Sequence, residues 1–193
     1  MTKTLDHRPK SLPEAFRHVR TTKTPLGTVA LVSWGGRLRE LHFDVRDLAT
    51  EEAIADCAPC KRIPVQIDWD SDDAILVQAE TELREYFLGQ RTRFSVPCFL
   101  QGTDFQQRVW KLLCRIPYGE TRSYGELARM MGSPNASRAV GAALGRNPIG
   151  LIVPCHRVIG STGKLVGFAG GITVKQQLLD HEHRFHAPSG RVK

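Results

Sequence analysis

The sequence predicts a protein of the α/β (α+β) class, with a small mixed α/β N-terminal domain followed by a mostly helical C-terminal domain. Three observations support this prediction. Strand-like alternation marks the first half, helical periodicity begins at Thr103, and two short helical segments follow around a Gly-Ser-Pro break. With 193 residues and 41% hydrophobic content, the chain can bury a core. We expect an N-terminal support domain over 1–100, a C-terminal domain over 101–184, and a tail over 185–193 that is a candidate for disorder.

The N-terminal half begins with a polar segment and continues with strands. Residues 1–25 lack clear periodicity, and we expect them to be a loosely held lead-in. The runs TVALVSW (28–34) and LRELHF (38–43) flank a Gly-Gly pair at 35–36. Alternating apolar runs on either side of two glycines are typical of a tight β-hairpin.

A helix and another strand are predicted to complete this half. Residues 44–70 have the character of a loop. Apolar residues then recur every four positions, at Ile75, Ala79, Leu83 and Phe87. This spacing predicts a helix that is capped by Ser71 or Asp72 and stops at Gly89. The run TRFSVPCF (92–99) has the pattern of a strand.

Two longer helices are predicted in the C-terminal half. An apolar stripe predicts one helix between Thr103 and Pro117. The stretch ITVKQQLLDHEHR predicts another near the end of the chain, with Leu178 and Leu179 docking it into the core. This docking would bring the carboxylate of Glu182 toward the middle of the domain.

Between these lie two short helices. Ser123 and Glu126 form an S-x-x-E capping box that opens a helix over 124–131. Gly-Ser-Pro at 132–134 ends it, and a second helix is predicted over 136–146. Two helices joined by so short a turn indicate a helix-turn-helix.

The second of these helices, ASRAVGAALGR, has a face with almost no side-chain bulk. Arg138 is the large exception near its start. Such a face allows a partner to approach the backbone closely, but close packing of one helix on another explains the same composition. The residues of the helix alone leave both interpretations open.

The charge of the chain is unevenly distributed. The net charge is +7, yet residues 1–96 carry 14 Lys and Arg against 15 Asp and Glu, while residues 97–193 carry 13 against 5. The second half therefore has a net charge of +8. A basic excess of this kind indicates a surface that neutralises phosphates, and a charge that serves only solubility is the alternative.

Cys155 and His156 are adjacent in LIVPCHRVIG (151–160). A free thiol is mostly protonated at neutral pH, so a nucleophilic cysteine needs a base and a group that orients the base. His156 is the candidate base, and Glu182 is the candidate orienting group. An inert core cysteine is the alternative, since Cys-His neighbours also arise by chance.

The remaining cysteines do not indicate a second site. An odd number of cysteines, five, in a chain without a secretory signal predicts reduced thiols. No apolar run is long enough for a membrane helix. We therefore expect a cytoplasmic protein. Cys57 and Cys60 form one C-x-x-C pair, which is a weak signal for zinc or redox chemistry. A loop with two free thiols is the preferred interpretation.

The longer motifs resemble those of O6-alkylguanine-DNA alkyltransferases. They are FQQRVWKLLCRIPYGETRSYGELA, SRAVGAALGRNP, IVPCHRVIGSTGKLVGFAGG and KQQLLDHE, and they follow the family order across about residues 103–182. The resemblance implies DNA repair by direct reversal. The protein would rotate O6-alkylguanine, and also O4-alkylthymine, out of duplex DNA and transfer the alkyl group irreversibly to Cys155, once per molecule. It implies no cofactor and no metal.

The resemblance also implies roles for individual residues. Cys155 corresponds to the alkyl acceptor, His156 to a base acting through a water, and Glu182 to the group that orients it. Asn147 resembles the residue that ties the active-site turn together, and Tyr124 resembles the tyrosine near the guanine ring and the neighbouring phosphate. The expected pocket residues are Val158, Phe168 and Ala169. The expected DNA-binding residues are Arg138, which would fill the gap left by the base, with Ser123, Tyr124, Ser137, Ala139 and Gly141.

The sequence departs from the family pattern at one place. Many relatives have Tyr-Ser before the double glycine, whereas this chain has Phe168-Ala169, so two hydroxyl groups are missing. The expected partner is double-stranded DNA, bound largely without sequence preference, because the small-residue helix has no Asn or Gln to read base edges and its Arg138 is assigned to the gap left by the base. The free protein is expected to be monomeric.

Two rival functions share parts of this motif. Alkyltransferase-like damage sensors bind alkylated DNA without reacting, but they carry tryptophan where this chain has Cys155. A cysteine hydrolase built on Cys155, His156 and Glu182 would turn over repeatedly and would not need a basic half.

Overall fold

A four-stranded sheet forms the N-terminal part of the computed structural model, which describes residues 16–43, 66–69 and 71–186. The strands are β1 (Phe16–Thr24), β2 (Gly27–Trp34), β3 (Arg37–Phe43) and β4 (Gln66–Trp69). Their order is β3-β2-β1-β4, with β1 parallel to β4 and the other pairs antiparallel.

The predicted hairpin joins β2 to β3. Gly35 and Gly36 have φ angles of +61° and +67°, and Trp34 pairs with Arg37. A two-residue turn with positive φ at both positions matches the twist of the strands, and glycine adopts it without a steric cost. The hairpin prediction is confirmed.

The predictions for residues 1–25 and 44–70 are wrong in part. Residues 16–24 form β1 rather than a lead-in, and residues 66–69 form β4 within the predicted loop. β1 lacks apolar alternation but is hydrogen-bonded to β2 on one edge and to β4 on the other. Its side chains also make polar contacts: the Arg17 guanidinium lies 4.7 Å from the Trp34 ring centroid, and Arg20 donates to Glu80 at 2.6 Å. These partners are distant in sequence, so no local pattern shows them.

The first helix, α1 (Ala74–Phe87), begins one residue later than predicted. Its cap is Asp73, whose carboxylate accepts from the backbone N–H groups of Ile75 and Leu76. The Ser71 hydroxyl accepts instead from the Asp73 N–H, at 3.3 Å. The predicted caps, Ser71 and Asp72, are therefore wrong, while Gly89 follows the helix end with a φ of +73° as expected.

The segment 92–99 is an extended loop, so the predicted strand is wrong. It makes one isolated bridge to β3, with Leu38 N–H donating to Pro97 O at 2.8 Å. The buried Glu82 carboxylate accepts hydrogen bonds from the backbone N–H groups of Ser95 and Val96, at 2.7 and 3.2 Å. The Glu82 side chain thus accepts hydrogen bonds that a neighbouring strand would accept if this segment belonged to a sheet.

The C-terminal half contains four helices among its described residues. They are α2 (Asp104–Leu113), α3 (Tyr124–Met130), α4 (Ser137–Leu144) and α5 (Gly171–Phe185). The capping box of Ser123 and Glu126 is present, and Gly132 has a φ of +70° in the turn before α4. The helix-turn-helix prediction is confirmed.

A short parallel ladder organises the centre of this half. Strands β5 (Arg122–Ser123) and β6 (Val158–Ile159) pair Arg122 with Val158 and Ser123 with Ile159. β5 leads directly into α3, and β6 begins one residue after the Cys-His pair. The ladder therefore places the start of α3 beside the candidate nucleophile.

The two halves share one apolar cluster. It includes Leu31 and Leu76 from the first half and Trp110 and Leu178 from the second, all fully buried. Among the described residues, the main core of the first half is therefore continuous with that of the second, and Val19 and Val32 form a smaller cluster of their own. The domain division near residue 100 stays a prediction. Within the described residues, no helix has the length and apolarity to cross a membrane.

The prediction that the tail begins at residue 185 is wrong. Phe185 belongs to α5, and its ring lies 4.9 Å from that of His181. The remaining tail residues, 187–193, lie outside the described part of the chain, as do Cys57 and Cys60.

Candidate active site

A tight turn over residues 147–153 places Cys155 at the centre of the C-terminal half. The Asn147 side chain donates to Val153 O at 2.8 Å and accepts from the Ile149 N–H at 3.2 Å, so it links both ends of the turn. Leu151, inside the turn, has a φ of +77°, an unfavourable conformation for a residue with a side chain. The turn opens into a 3-10 helix, Cys155–Arg157.

The thiol of Cys155 is only slightly exposed, at 6% for the residue. Burial raises the pKa of this thiol, and the neighbouring Asn147 amide and Lys175 ammonium offset that effect only in part. The resting group is therefore a protonated thiol. A base must remove the proton before the sulfur can act as a nucleophile.

His156 is a base held in a defined tautomer. It is completely buried, and its Nε2 lies 2.8 Å from Oε1 of Glu182. Burial lowers the pKa of His156 despite the opposing effect of Glu182, so the ring is neutral at pH 7. A neutral ring that donates through Nε2 keeps a lone pair on Nδ1, and Nδ1 has no hydrogen-bond partner among the described residues.

Glu182, on α5, accepts hydrogen bonds from four residues. One donor besides His156 is Arg157, whose Nε lies 2.9 Å from one carboxylate oxygen and 3.1 Å from the other. The other two are the Tyr86 hydroxyl, at 2.9 Å, and the Gly119 N–H, at 3.0 Å. Burial alone would raise the pKa of Glu182, but His156 and Arg157 together lower it to about 2. The carboxylate is therefore ionised and fixed in place at neutral pH.

We expect Tyr86→Phe to lower the free energy of unfolding by about 1.5–3 kcal/mol, because it removes a buried hydrogen bond to a charged group. Tyr118→Phe is the matched control, since the buried Tyr118 hydroxyl has no partner in the described part of the chain. Its loss should change stability by less than about 0.5 kcal/mol. Equal losses in urea unfolding would contradict the importance given to the Tyr86 bond.

Tyr124 and Lys175 converge on one loop next to the thiol. The Tyr124 hydroxyl donates to Val166 O at 2.9 Å, and the Lys175 ammonium donates to the same oxygen at 2.8 Å. Burial, and then the neighbouring Cys155, raise the pKa of Tyr124, so its hydroxyl stays protonated. Lys175 is fully buried, and burial lowers the pKa of its amine.

The expected pocket residues lie on both sides of the Cys-His pair. Val158 is fully buried in β6, directly after the 3-10 helix. The ring of Phe168 lies edge-on to His156, with 6.4 Å between the centroids. Ala169 is exposed beside Phe168 in the loop before α5.

The helix-turn-helix presents a low-bulk face beside this site. Arg138 and Ala139 are exposed on α4, while Ser137 and Gly141 are half-buried. A methyl group on Gly141 would lie 3.7 Å from the Tyr124 ring, so α4 packs closely over the start of α3. Ser123, half-buried, caps α3.

Sequence reasoning missed three polar residues of this site. Arg157 follows His156 directly, and its position in the motif was the available signal. Lys175 and Tyr86 gave no local signal, because a helical lysine and a helical tyrosine usually face solvent or core. Their roles depend on which distant groups the fold places against them.

Two family models match the chain. The model described as 6-O-methylguanine DNA methyltransferase, ribonuclease-like domain, covers residues 18–99. The model described as 6-O-methylguanine DNA methyltransferase, DNA binding domain, covers residues 104–184. Together they span most of the sequence.

Individual proteins give the same result. The methylated-DNA–protein-cysteine methyltransferase of Mycobacterium bovis is 47% identical over 165 residues, 86% of this chain and 92% of the relative. The structure of Mycobacterium tuberculosis OGT in complex with DNA is 45% identical, with a TM-score of 0.72 over 89% of this chain and 96% of that one. The O6-methylguanine-DNA methyltransferase of Pyrococcus kodakaraensis is 25% identical, with a TM-score of 0.66 over 86% and 98% of the two chains. These matches show that the chain belongs to the methylated-DNA–protein-cysteine methyltransferase family.

Proposed function

We propose that this chain repairs DNA by direct reversal, transferring the alkyl group of O6-alkylguanine, and also of O4-alkylthymine, to the sulfur of Cys155. The observation that carries the proposal is a nucleophile-base-carboxylate series: Cys155 is followed by a neutral, buried His156, whose Nε2 lies 2.8 Å from Glu182. This arrangement supplies the base and the orienting group that a thiol nucleophile needs.

The reaction forms one bond and breaks one. His156 takes the thiol proton, directly or through a water, and the Glu182 carboxylate stabilises the imidazolium that results. The Cys155 sulfur then attacks the alkyl carbon, the bond from that carbon to O6 breaks, and its electrons pass to the purine. The departing guanine gains one proton, which balances the proton that His156 took from Cys155. We assign the Tyr124 hydroxyl as the acid that passes this proton on, and the Ala169 N–H as a hydrogen-bond donor to O6.

The product is a thioether, which fixes the stoichiometry. It has no carbonyl for water to attack, and a thiolate is a poor leaving group from an ordinary alkyl carbon. Each molecule is therefore consumed by one transfer.

The damaged base must leave the duplex before the thiol can reach it, at a cost of a few kcal/mol. We assign DNA binding and alkyl transfer to residues 101–184 and a supporting role to residues 1–100. The exposed Arg138 fills the gap in the base stack, while the low-bulk face of α4 approaches the narrow minor groove.

The test is the mass of the protein after one exposure to duplex DNA containing O6-methylguanine. The peptide containing Cys155 should gain one methyl group, with one methyl transferred per protein molecule. Cys155→Ser is the control and should gain none. Methylation of another cysteine, or repeated turnover at low protein concentration, would reject the proposal.

We expect Arg138→Ala to slow repair of duplex DNA about tenfold or more, since filling the gap offsets an unstacking cost of a few kcal/mol. Reaction with the free base O6-benzylguanine needs no opened duplex and should be unchanged. Arg129→Ala, an exposed arginine on α3, is the matched control for loss of a positive charge. Equal slowing with both substrates would refute the role of Arg138.

We place the activity in the cytoplasm, because Cys155 must remain a reduced thiol to react. The free protein is a monomer in this proposal.

A further inference from the structure

Phe43, the last residue of β3, is wedged into the active-site half. Its ring centroid lies 5.3 Å from that of Phe168, with the planes inclined at 54°. A methyl group on Gly170 would lie 3.0 Å from Cγ of Phe43, and one on Gly150 would lie 3.1 Å from Cε2. The ring thus touches both the turn that precedes Cys155 and the loop that carries Phe168.

The position of this ring is set by the sheet. Leu41 donates its N–H to Pro148 O at 2.8 Å and forms a bridge with Ile149, so β3 is bonded to the active-site turn. Phe43 itself pairs with Val29 of β2. The N-terminal sheet therefore acts as a fixed support for the ring.

Phe168 transmits this support to the catalytic histidine. One side of Phe168 meets Phe43, and its ring lies edge-on to His156 at 6.4 Å. A phenyl ring has no hydroxyl to anchor it, so packing alone determines where Phe168 lies. Phe43, Phe168 and His156 form one continuous aromatic series that ends beside Cys155.

We propose that Phe43 is a specificity-determining residue of the N-terminal sheet, which fixes Phe168 and so sets the width of the space for the alkyl group beside Cys155. The inference rests on the proposed function and adds a determinant of its substrate range. Phe43 acts through Phe168 and is a positioning residue. The sheet thereby has a task in the reaction besides stability.

The test compares single-turnover rates for the same duplex carrying either O6-methylguanine or O6-benzylguanine, so that the cost of opening the duplex is shared. In Phe43→Ala, Phe168 can retreat into the space left by the ring. We expect the ratio of benzyl to methyl rates to rise about tenfold, because pocket contacts of this size discriminate by about 10- to 200-fold. The methyl rate itself should fall as the small group loses its alignment.

Leu31→Ala is the control, because it removes a fully buried side chain of β2 and should lower thermal stability without changing the rate ratio. If Phe43→Ala does not fold, Phe43→Leu serves in its place, with a smaller rise expected. Gly150→Ala gives an independent measurement, since its methyl group would press on the Phe43 ring. We expect it to slow both transfers in the parent and to be tolerated in the Phe43→Leu background.

The outcomes separate this inference from the function beneath it. If Cys155 of the parent protein is alkylated but Phe43→Ala changes both rates by the same factor, the residue is merely structural and the inference is overturned. If the parent transfers neither group to Cys155, the proposed function fails and the inference fails with it.

Discussion

Replacing Glu182 with glutamine is expected to lower the free energy of unfolding by about 3–5 kcal/mol, the usual cost of breaking a buried ion pair by removing one partner. The fully buried carboxylate is bonded through both oxygens to Arg157, which is itself 7% exposed. A glutamine would leave the guanidinium charge uncompensated. Urea unfolding of the two proteins measures the difference.

Glu80→Gln is the matched control for this prediction. Glu80 pairs with Arg20 at 2.6 Å, but both side chains are partly exposed, so the loss should stay below about 1 kcal/mol. A loss of similar size in both variants would show that burial of the Glu182 pair does not matter.

The same carboxylate predicts a dependence of stability on pH. The folded pKa of Glu182, about 2, lies below its ordinary value of 4.5, so the folded state favours the ionised form. Its contribution to stability is therefore complete above about pH 5 and is lost as the pH falls toward 2. The loss of stability between pH 5 and 3 should be smaller in Glu182→Gln than in the parent.

Replacing His156 with glutamine is expected to slow methyl transfer by about 10²–10⁴-fold at pH 7, the usual contribution of a general base. The pH profile should change as well. Because burial lowers the pKa of His156, the base form predominates at neutral pH, and the parent rate should be constant between about pH 7 and 8. In His156→Gln the rate should rise about tenfold per pH unit, because only the thiolate fraction of Cys155 remains to limit it.

His183→Gln is the control for His156, since His183 lies exposed on α5. Its rate and pH profile should match those of the parent. A flat profile in His156→Gln would mean that the proton of Cys155 leaves by another route, and the assignment of the base would then be wrong.

Local signals accounted for the parts of the fold that were predicted correctly. The Gly35-Gly36 hairpin and the capping box of Ser123 and Glu126 each lie within a few residues, so the sequence contains the whole interaction. β1 and the 92–99 loop were missed for the opposite reason. Arg20 of β1 bonds Glu80, and Ser95 bonds Glu82, and neither pairing follows from periodicity.

The residues of the active site also divide into those that the sequence indicated and those that only the fold reveals. Cys155 and His156 are adjacent, and docking of α5 through Leu178 made Glu182 a reasonable partner before its contacts were known. Tyr86 could not be found by this route. It lies 96 residues from Glu182, and only the packing of α1 against α5 brings its hydroxyl to the carboxylate.

The apolar cluster shared by the two halves bears on how the chain can be dissected. Leu31 and Leu76 lose their surroundings if the chain is cut near residue 100, and so do Trp110 and Leu178. Each fragment would expose to water the apolar residues that the other half covers in the intact protein. Exposed apolar surface of this kind favours aggregation. The intact protein should therefore unfold in a single cooperative thermal transition. If an isolated C-terminal fragment fails to bind DNA, the reason would be that the fragment does not fold, and the result would not locate the DNA-binding surface.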